Sequence, residues 1–216
     1  MIFANRQHAG EILAKKFSEL KFAKKRSIVA SIPRGGVVVG QVIAEKLGIG
    51  QTVIVIKKLG APQNPELAIG ATASFGKPVL DRWLIEDLKI SSDYLKKEII
   101  KKRKEASSRE RLLGIKFVPS KFKAKIVIVV DDGLATGQTA KAAAKIIQKF
   151  GPQKLILGVA CAAPSTLDLV KNDYDEVICP LVSSDFWAVG QFYRDFRPIT
   201  DEEVIKILNE QLTIDN

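Results

Sequence analysis

Two adjacent acids, followed by a short loop of small residues, form the most chemically informative stretch of the sequence. Asp131 and Asp132 come directly after the apolar run Ile126–Val130, and the loop leads through Thr136 to Thr139, where a helix is expected to begin. Ligands of open α/β sheets bind at the carboxyl ends of strands. Loop amides, a helix N-terminus and threonine hydroxyls suit a phosphate, while the acids suit sugar hydroxyls or a nearby magnesium ion. The stretch therefore predicts binding of a ribose 5-phosphate.

A second loop before a predicted helix carries a fixed positive charge. It comprises Pro33, Arg34, Gly35 and Gly36. The loop amides and the Arg34 guanidinium would together bind an anion. The alternative is a plain helix start with a surface arginine.

Two lysines follow a third apolar run and could reach the same ligand. Lys57 and Lys58 come after Thr52–Ile56, which is predicted to be a strand that ends at this pair. A stretch rich in Gly, Pro and Asn follows and ends at Glu66. Each lysine could equally be a solvated residue at a strand end. Glu66 could face the ligand site, but a surface position in the loop explains it equally well.

The segment around residue 186 is unusually aromatic for so polar a neighbourhood. Phe186 and Trp187 precede a Val-Gly pair, and Asp195 follows them. Aromatic side chains at such a place either stack on a flat ligand or pack in the core. Both interpretations stay open for this pair.

The rare residue types exclude several kinds of chemistry. His8 is the single histidine, so multi-histidine metal centres are impossible and a Ser-His-Asp triad could run only through it. We expect a surface or capping role for His8, while Arg6 could line an oligomer interface or reach a phosphate. Cys161 and Cys179 lack the CxxC spacing, which argues against a disulfide scaffold and a structural zinc site.

The elements that must position these residues alternate between strands and helices. Apolar runs rich in Val and Ile predict strands buried on both faces, and they are Ser27–Ile32, Thr52–Ile56, Ile126–Val130, Leu155–Ala160 and Val177–Cys179. Amphipathic patterns predict helices at Val37–Leu47, Ser91–Leu113, Thr139–Phe150, Pro164–Asn172 and from Thr200 onward. This alternation indicates an α/β fold with a parallel sheet of about four or five strands.

The chain is strongly basic. Its 216 residues carry a formal net charge of +10, from 34 Lys and Arg against 24 Asp and Glu. A field that steers an anionic substrate, a nucleic-acid surface and a generally lysine-rich composition would all explain this charge. The basic segment Ser91–Leu113 lacks interleaved aromatic residues, so a solvated helix face is favoured.

The sequence lacks the long apolar segment that a membrane helix needs. The longest uncharged apolar stretch, Leu155–Pro164, is far shorter than the roughly 20 residues required. The first residues have charges where a signal peptide needs an apolar run. We therefore expect a cytoplasmic protein that does not bind membranes.

Residues 127–139, VIVVDDGLATGQT, resemble the phosphoribosyl pyrophosphate (PRPP) signature of type I phosphoribosyltransferases. The resemblance implies that Asp131 and Asp132 contact the ribose hydroxyls of PRPP. It assigns the 5-phosphate to Gly133, Leu134, Ala135, Thr136, Gly137, Gln138 and Thr139. The alternative, a tight turn capped by an acid, needs neither both acids nor both threonines.

The same resemblance gives roles to the other motifs. It implies pyrophosphate binding by Pro33, Arg34, Gly35, Gly36, Lys57 and Lys58, with a cis peptide near Arg34-Gly35 and a mobile loop over 60–66. Phe186 or Trp187 would stack on a base, as in hypoxanthine-guanine phosphoribosyltransferases. Asp195 would lie near the metal, although its spacing is one residue longer than in that group. Catalysis would rest on Asp131, Asp132, Arg34 and Lys57.

Nearly the whole chain is similar to a group of prokaryotic predicted phosphoribosyltransferases. The resemblance implies an α/β type I phosphoribosyltransferase core, with a parallel sheet flanked by helices and a small hood or flap. We expect a single domain over 1–216, with a core at about 24–185, a helical insertion at about 84–114 and a C-terminal base-side segment at about 183–216.

The expected activity is transfer of the 5-phosphoribosyl group from PRPP to a nitrogen acceptor, a nucleobase, with Mg²⁺ as cofactor. A role in nucleotide salvage and a homodimeric assembly follow from the same resemblance. The alternative function is a non-catalytic PRPP sensor that binds nucleic acid. A subunit of PRPP synthesis is disfavoured, because the sequence has no GxxxxGK[ST] loop for ATP.

Overall fold

A computed structural model describes residues 2–20, 23–115 and 118–212, so the last four residues of the expected segment 183–216 lie outside the described residues. The helices are α1 (Arg6–Ser18), α2 (Gly35–Leu47), α3 (Arg82–Asp87), α4 (Ser92–Leu112), α5 (Gln138–Gln148), α6 (Pro164–Val170) and α7 (Asp201–Leu212). The strands are β1 (Ser27–Ser31), β2 (Gly50–Val53), β3 (Lys57–Gly60), β4 (Ala68–Thr72), β5 (Val79–Leu80), β6 (Ile126–Asp131), β7 (Lys154–Val159), β8 (Cys161–Ala162), β9 (Glu176–Ile178) and β10 (Leu181–Val182).

A five-stranded parallel sheet lies at the centre, in the order β2-β1-β6-β7-β9. Every residue of β1 is buried, and so are the first five residues of β6. Strands buried on both faces need no polar alternation, which is why their sequences are nearly continuous apolar runs. The predicted α/β fold with a parallel sheet flanked by helices is confirmed.

Alternate residues of the central strands enter two different cores. Val29, Ile128 and Ile156 pack with α1 and α2 on one face of the sheet. Their neighbours Ile28 and Val127 pack on the other face with apolar residues of α5. Because side chains of a strand alternate between its two faces, the sheet holds a helix layer on each side.

The chain leaves the sheet after β2 and forms a separate three-stranded antiparallel sheet, β3-β4-β5. Lys57 pairs with Thr72 and Lys58 with Ala71 at the start of this hairpin. The prediction that these lysines end a strand of the parallel sheet is therefore wrong. The stretch expected to form a mobile loop is the tight turn between β3 and β4, where the Ala61 amide donates to the Leu67 carbonyl at 2.9 Å.

The long basic helix α4 lies across the hairpin and reaches α7. Only Ala106 and Glu110 are buried within it. Ala106 joins a small apolar cluster with Val37 of α2 and Val204 of α7. No helix in the described part of the chain is long and apolar enough to cross a bilayer.

Residues near the two ends of the described chain run side by side. The Phe3 amide donates to the Phe192 carbonyl at 2.8 Å, and the Arg194 amide donates to the Phe3 carbonyl at 2.9 Å. The Asp195 amide donates to the Ala4 carbonyl at 3.0 Å. This short pairing brings the start of α1 next to the segment after residue 192.

Candidate active site

The acid pair lies at the carboxyl end of the central strand β6. Asp131 is the last residue of the strand, and its Oδ1 accepts a hydrogen bond of 2.9 Å from the Asp132 amide. Asp132 Oδ2 accepts a hydrogen bond of 2.7 Å from Arg6 Nε. The side chains of Arg6 and Asp132 are only 8% and 15% exposed, so water screens this ion pair weakly.

The Arg6 guanidinium is held by two further contacts from the C-terminal part of the chain. Arg6 Nη1 donates to the Arg197 carbonyl at 2.9 Å, and the guanidinium carbon lies 3.9 Å from the centre of the Phe196 ring. The Tyr193 hydroxyl donates to the Asp132 carbonyl at 2.6 Å. Arg6 therefore fixes Asp132.

The two acids have different electrostatic environments. Burial, followed by the neighbouring Asp132 carboxylate, raises the pKa of Asp131 well above the usual range of aspartates. Asp132 has the buried Arg6 cation as a direct partner. The arrangement therefore provides one carboxylate that is tied to a cation and one that can hold a proton.

The loop after the acids is fixed by β8 and α6. The Leu134 amide donates to the Cys161 carbonyl at 2.9 Å, and Thr166 Oγ1 donates to the Ala135 carbonyl at 3.2 Å. Gly137 is the N-cap of α5 with φ at +69°, a left-handed conformation that favours glycine. The loop therefore delivers the amino end of α5, where unpaired amides attract anions, to the edge of the acid pair.

Residues Gln138 and Thr139 begin α5, as the sequence predicts within one residue. Thr136 is exposed and Thr139 is half-buried. Gly133 is buried, and a Cβ there would lie 2.6 Å from a Val189 methyl carbon. Residues 133–139 thus form the loop and the first residues of α5 at the carboxyl end of the sheet, where the sequence predicts a phosphate site.

The loop after β1 packs directly against the acid pair. The Ile32 amide donates to the Val130 carbonyl at 2.9 Å, and the peptide bond between Pro33 and Arg34 is cis. A Cβ at Gly35 would lie 1.8 Å from Asp132 Oδ2, and one at Gly36 would lie 2.6 Å from the Val130 carbonyl oxygen. Only glycine permits this approach, so the two predicted anion loops are in contact.

Arg34 is shared with the two helices at the rim of the site. Its Nη1 lies 3.7 Å from Asp201 Oδ1, at the start of α7. Both Nη atoms of Arg109, from α4, donate to the same carboxylate at 2.5 Å. These hydrogen bonds from Arg109 lower the pKa of Asp201, with a smaller contribution from Arg34.

The two lysines expected at the pyrophosphate side point to different surroundings. Lys57 Nζ lies 3.9 Å from Glu105 Oε2 of α4. Lys58 instead lines a small cavity of about 170 Å³ that also includes Gln138 and Lys141 of α5. The structure thus separates the pair, with Lys57 on the α4 side of the hairpin and Lys58 facing α5.

The aromatic pair at residue 186 also divides. The centres of the Phe186 and Phe192 rings lie 5.0 Å apart. Phe186 packs against the apolar cluster that includes residues of α1, which agrees with the expectation that an aromatic residue here belongs to the core. Trp187 is 87% exposed, and its Nε1 donates to Asp185 Oδ1 at 2.6 Å. Of the two, only Trp187 presents a free ring face. Asp195 Oδ1 accepts a hydrogen bond of 3.1 Å from the Arg197 amide.

Comparison with known proteins identifies the family. A model of the phosphoribosyl transferase domain matches residues 1–197 of the chain. The chain belongs to the phosphoribosyltransferase family. A Mycobacterium tuberculosis (strain H37Rv) protein named "Putative phosphoribosyl transferase Rv0571c" is 34% identical over 212 residues, which are 96% of this chain and 46% of the relative. The chain thus spans about half the length of the curated relatives it matches.

Solved structures agree with this assignment. The crystal structure of TT1426 from Thermus thermophilus is 36% identical, with a TM-score of 0.87, and the match covers 98% of this chain and 99% of that one. The structure of AQ2163 from Aquifex aeolicus is 15% identical with a TM-score of 0.50, and the match covers 82% and 74% of the two chains. The latter likeness concerns the fold alone. The family expected from the sequence is confirmed.

Several residues around the phosphoribosyltransferase signature carry roles that motif analysis misses. Arg6, Tyr193 and Asp201 all contact groups of the two anion loops, from positions remote in sequence. The only sequence signal for the role of Arg6 is its position directly after Asn5, the asparagine that caps α1. Asn5 accepts from the His8 amide at 3.0 Å, and His8 Nδ1 accepts from the Ala4 amide at 3.0 Å, in line with the expected capping role of His8.

Proposed function

We propose that this chain transfers the 5-phosphoribosyl group from PRPP to a nitrogen acceptor and releases pyrophosphate. The observation that carries the proposal is the direct contact between the two anion loops at the acid pair. Gly35 lies against Asp132, while α5 begins six residues after that acid, at Gln138. A sugar bound at the acids would therefore have one anion site on each side, as PRPP requires for its phosphate and its pyrophosphate.

The proposed roles follow from the surroundings of each group. The amides of 133–137 and the hydroxyls of Thr136 and Thr139 would hold the 5-phosphate. Asp131 would accept hydrogen bonds from ribose hydroxyls. Arg34, with Lys57 from the hairpin, would stabilise the charge that develops on the departing pyrophosphate. Catalysis would then consist mainly of positioning and electrostatic stabilisation of a cation-like C1.

The balance of bonds and protons assigns a second role to Asp131. The bond from C1 to the pyrophosphate oxygen breaks, the bond from C1 to the acceptor nitrogen forms, and that nitrogen loses a proton. None of Gly133, Leu134 and Ala135 carries a carboxylate, and Asp132 is paired with Arg6. Asp131 is the remaining acid of this loop and would therefore accept the proton.

The acidic residues near the candidate active site offer few carboxylates that could contact Mg²⁺. In the described part of the chain, no group of three or more His, Cys, Asp or Glu side chains could hold a metal ion. Mg²⁺ binds through few carboxylates together with water and substrate phosphates. We therefore propose that Asp131 is the main protein group near Mg²⁺, which when bound would neutralise pyrophosphate charge. Asp195, whose carboxylate caps a local turn, would contribute at most through water.

The proposed acceptor is a nucleobase, which places the reaction in nucleotide salvage. The exposed ring face of Trp187 supports a stacking role for this residue. Phe186 would act indirectly, by supporting the segment that carries Trp187. We further propose a cytoplasmic homodimer, which light scattering on the purified chain would test.

The test is release of pyrophosphate from PRPP with Mg²⁺ across a panel of purine and pyrimidine bases, with a PRPP titration on the same preparation. Asp131→Asn should lower turnover by at least about 100-fold, while the exposed control Asp87→Asn should match the parent chain. Base-dependent release would establish the transferase. PRPP binding without release for any base would favour the sensor function, and absence of PRPP binding would refute the proposal.

A further inference from the structure

A groove on α4 is lined by basic side chains, most of which have no role in the proposed transfer reaction. Five basic residues line it: Lys57, Lys97, Lys101, Lys104 and Arg109. Glu105 is the single acid among its lining residues, and the cavity volume is about 850 Å³. We call this cavity the α4 groove. Its size is in the range of small-molecule sites, and its charge suits an anion.

Three of these cations form a stripe along one face of the helix. Lys97, Lys101 and Lys104 follow one face of α4 at spacings of four and three residues, and all three are exposed. None has an ion-pair partner within residues 2–20, 23–115 and 118–212, where the ion pairs of α4 lysines involve Lys102 alone. Lys102, on a neighbouring face, pairs with Glu105 at 3.0 Å and approaches Glu98 at 4.0 Å. Like charges at these spacings destabilise a helix, and a bound anion would relieve that repulsion.

The groove also has an apolar component. Ile100 and Leu112 line it, and each is 56% exposed. A ligand that satisfies both components carries phosphates for the lysines and an apolar, flat part for the aliphatic side chains. Among the described residues, no aromatic side chain lines the groove, whereas sites for single-stranded nucleic acid generally offer aromatic platforms for successive bases. These features favour a nucleotide over a nucleic-acid strand.

The groove adjoins the candidate active site through one carboxylate. Arg109, which lines the groove, donates two hydrogen bonds to Asp201, and Asp201 also lies 3.7 Å from Arg34. Lys57 belongs to the groove as well as to the proposed pyrophosphate side. The groove therefore lies where an anionic ligand could influence the pyrophosphate loop without occupying the sugar site.

We propose that the α4 groove binds a nucleoside phosphate, with its phosphates on Lys97, Lys101 and Lys104 and its base or sugar against Ile100 and Leu112. This site is distinct from the PRPP site. It stands or falls independently of the proposed transferase function, since neither the stripe nor its apolar neighbours belong to the two loops at the acid pair.

The probe for this site is ADP, titrated calorimetrically against the full chain. The background is Asp131→Asn, which is designed to weaken the PRPP site and leave the groove intact. The test variant is Lys97→Gln/Lys101→Gln/Lys104→Gln, which keeps side-chain length and helix propensity. The control is Lys24→Gln/Lys25→Gln/Lys96→Gln, which removes the same charge from exposed positions outside the groove.

We expect saturable ADP binding that the stripe variant weakens at least about tenfold and the control leaves unchanged. Inorganic pyrophosphate and a ten-residue oligo(dT) serve as competitors. Equal competition by pyrophosphate would overturn the apolar half of the proposal, and stronger competition by oligo(dT) would indicate a nucleic-acid surface instead.

Two further outcomes also overturn the proposal. One is ADP binding that both triple variants change equally, since this would reflect net charge alone. The other is an oligomer, seen by light scattering, that the stripe variant dissociates, since this would make the groove an interface between copies. If the parent chain binds ADP but does not bind PRPP, only the transferase proposal is refuted.

Discussion

At the scale of single residues, the two acids of the signature have different partners and different electrostatic surroundings. Asp132 is tied to the buried Arg6, whereas Asp131 is half-buried and has a raised pKa. The sequence presents them as an equivalent pair, because nothing in the motif indicates a cation brought from residue 6. Their different partners predict different consequences when each one is neutralised.

Asp132→Asn should destabilise the fold. Asparagine can still accept the hydrogen bond from Arg6, but the guanidinium loses its counter-charge in a site that water screens weakly. We expect a loss of about 1–3 kcal/mol in the free energy of unfolding, measured by urea denaturation. Asp168→Asn is the matched control, since Asp168 pairs with Lys171 at the same 2.7 Å but with both side chains largely exposed. An equal loss in both variants would contradict the assignment.

Asp131→Asn should change the pH dependence of stability. Because the folded-state pKa of Asp131 is raised, the unfolded chain loses this proton first as the pH rises. Stability from this group is therefore complete below the unfolded pKa, near 3.8, and decreases as the pH rises toward the folded pKa. Urea denaturation between acidic and neutral pH should show a smaller decrease in Asp131→Asn than in Asp87→Asn. Parallel profiles would show that Asp131 ionises freely.

At the scale of elements, two loops and two helices meet around the acid pair. The loop before α2 lies so close to Asp132 that a glycine is required at position 35. Ion pairs of Asp201, from α7, with Arg34 of this loop and with Arg109 of α4 connect both helices to it. The strand and helix pattern of the sequence predicts the loops, since both follow buried strands. It does not predict the hairpin β3-β4-β5, because a four-residue strand begun by two lysines has no apolar run.

Gly35→Ala should damage the site more than the fold. The added Cβ would overlap Asp132 Oδ2 and come within 2.7 Å of Arg6 Nε, so the loop must move away from the acid pair. We expect PRPP affinity to decrease at least about tenfold, with a cost in stability of about 1–3 kcal/mol. Gly50→Ala is the control, because a Cβ at Gly50 meets nothing within 4 Å. Unchanged PRPP affinity in Gly35→Ala would separate this loop from ligand binding.

Asp201→Asn should strengthen pyrophosphate binding. The Asp201 carboxylate is the counter-charge of both Arg34 and Arg109, so an incoming pyrophosphate must compete with it. We expect the dissociation constant of pyrophosphate to decrease severalfold, measured by calorimetry at constant ionic strength. Glu202→Gln removes the same charge from the next, exposed residue and should have a smaller effect. Identical changes in the two variants would attribute the result to overall charge.

At the scale of the whole molecule, the sequence predicts the fold well and the site in part. Buried runs such as Ile126–Val130 dictate a parallel sheet, and the sheet dictates where the signature loop must lie. Arg6 could not be predicted, because its contact with Asp132 joins residues 126 positions apart. Phe186 and Trp187 are neighbours with similar side chains, and only tertiary packing decides that one is core and the other exposed.

The net charge of +10 should speed the encounter with PRPP. Oppositely charged partners attract over a distance that salt shortens. We expect the association rate constant of PRPP, measured by stopped flow, to decrease severalfold from low to physiological ionic strength while the dissociation rate constant changes less. A rate constant independent of salt would indicate that the charge is compositional and does not guide the substrate.

The pairing of residues 3–4 with residues 192–195 sets an order of events during synthesis. The ribosome makes the acid pair and its loop long before Tyr193, Phe196 and Arg197, which hold Asp132 and Arg6 in place. A nascent chain that stops short of these residues contains the whole signature yet cannot fix its acids. Competence to bind the proposed ligand should therefore arise late in translation.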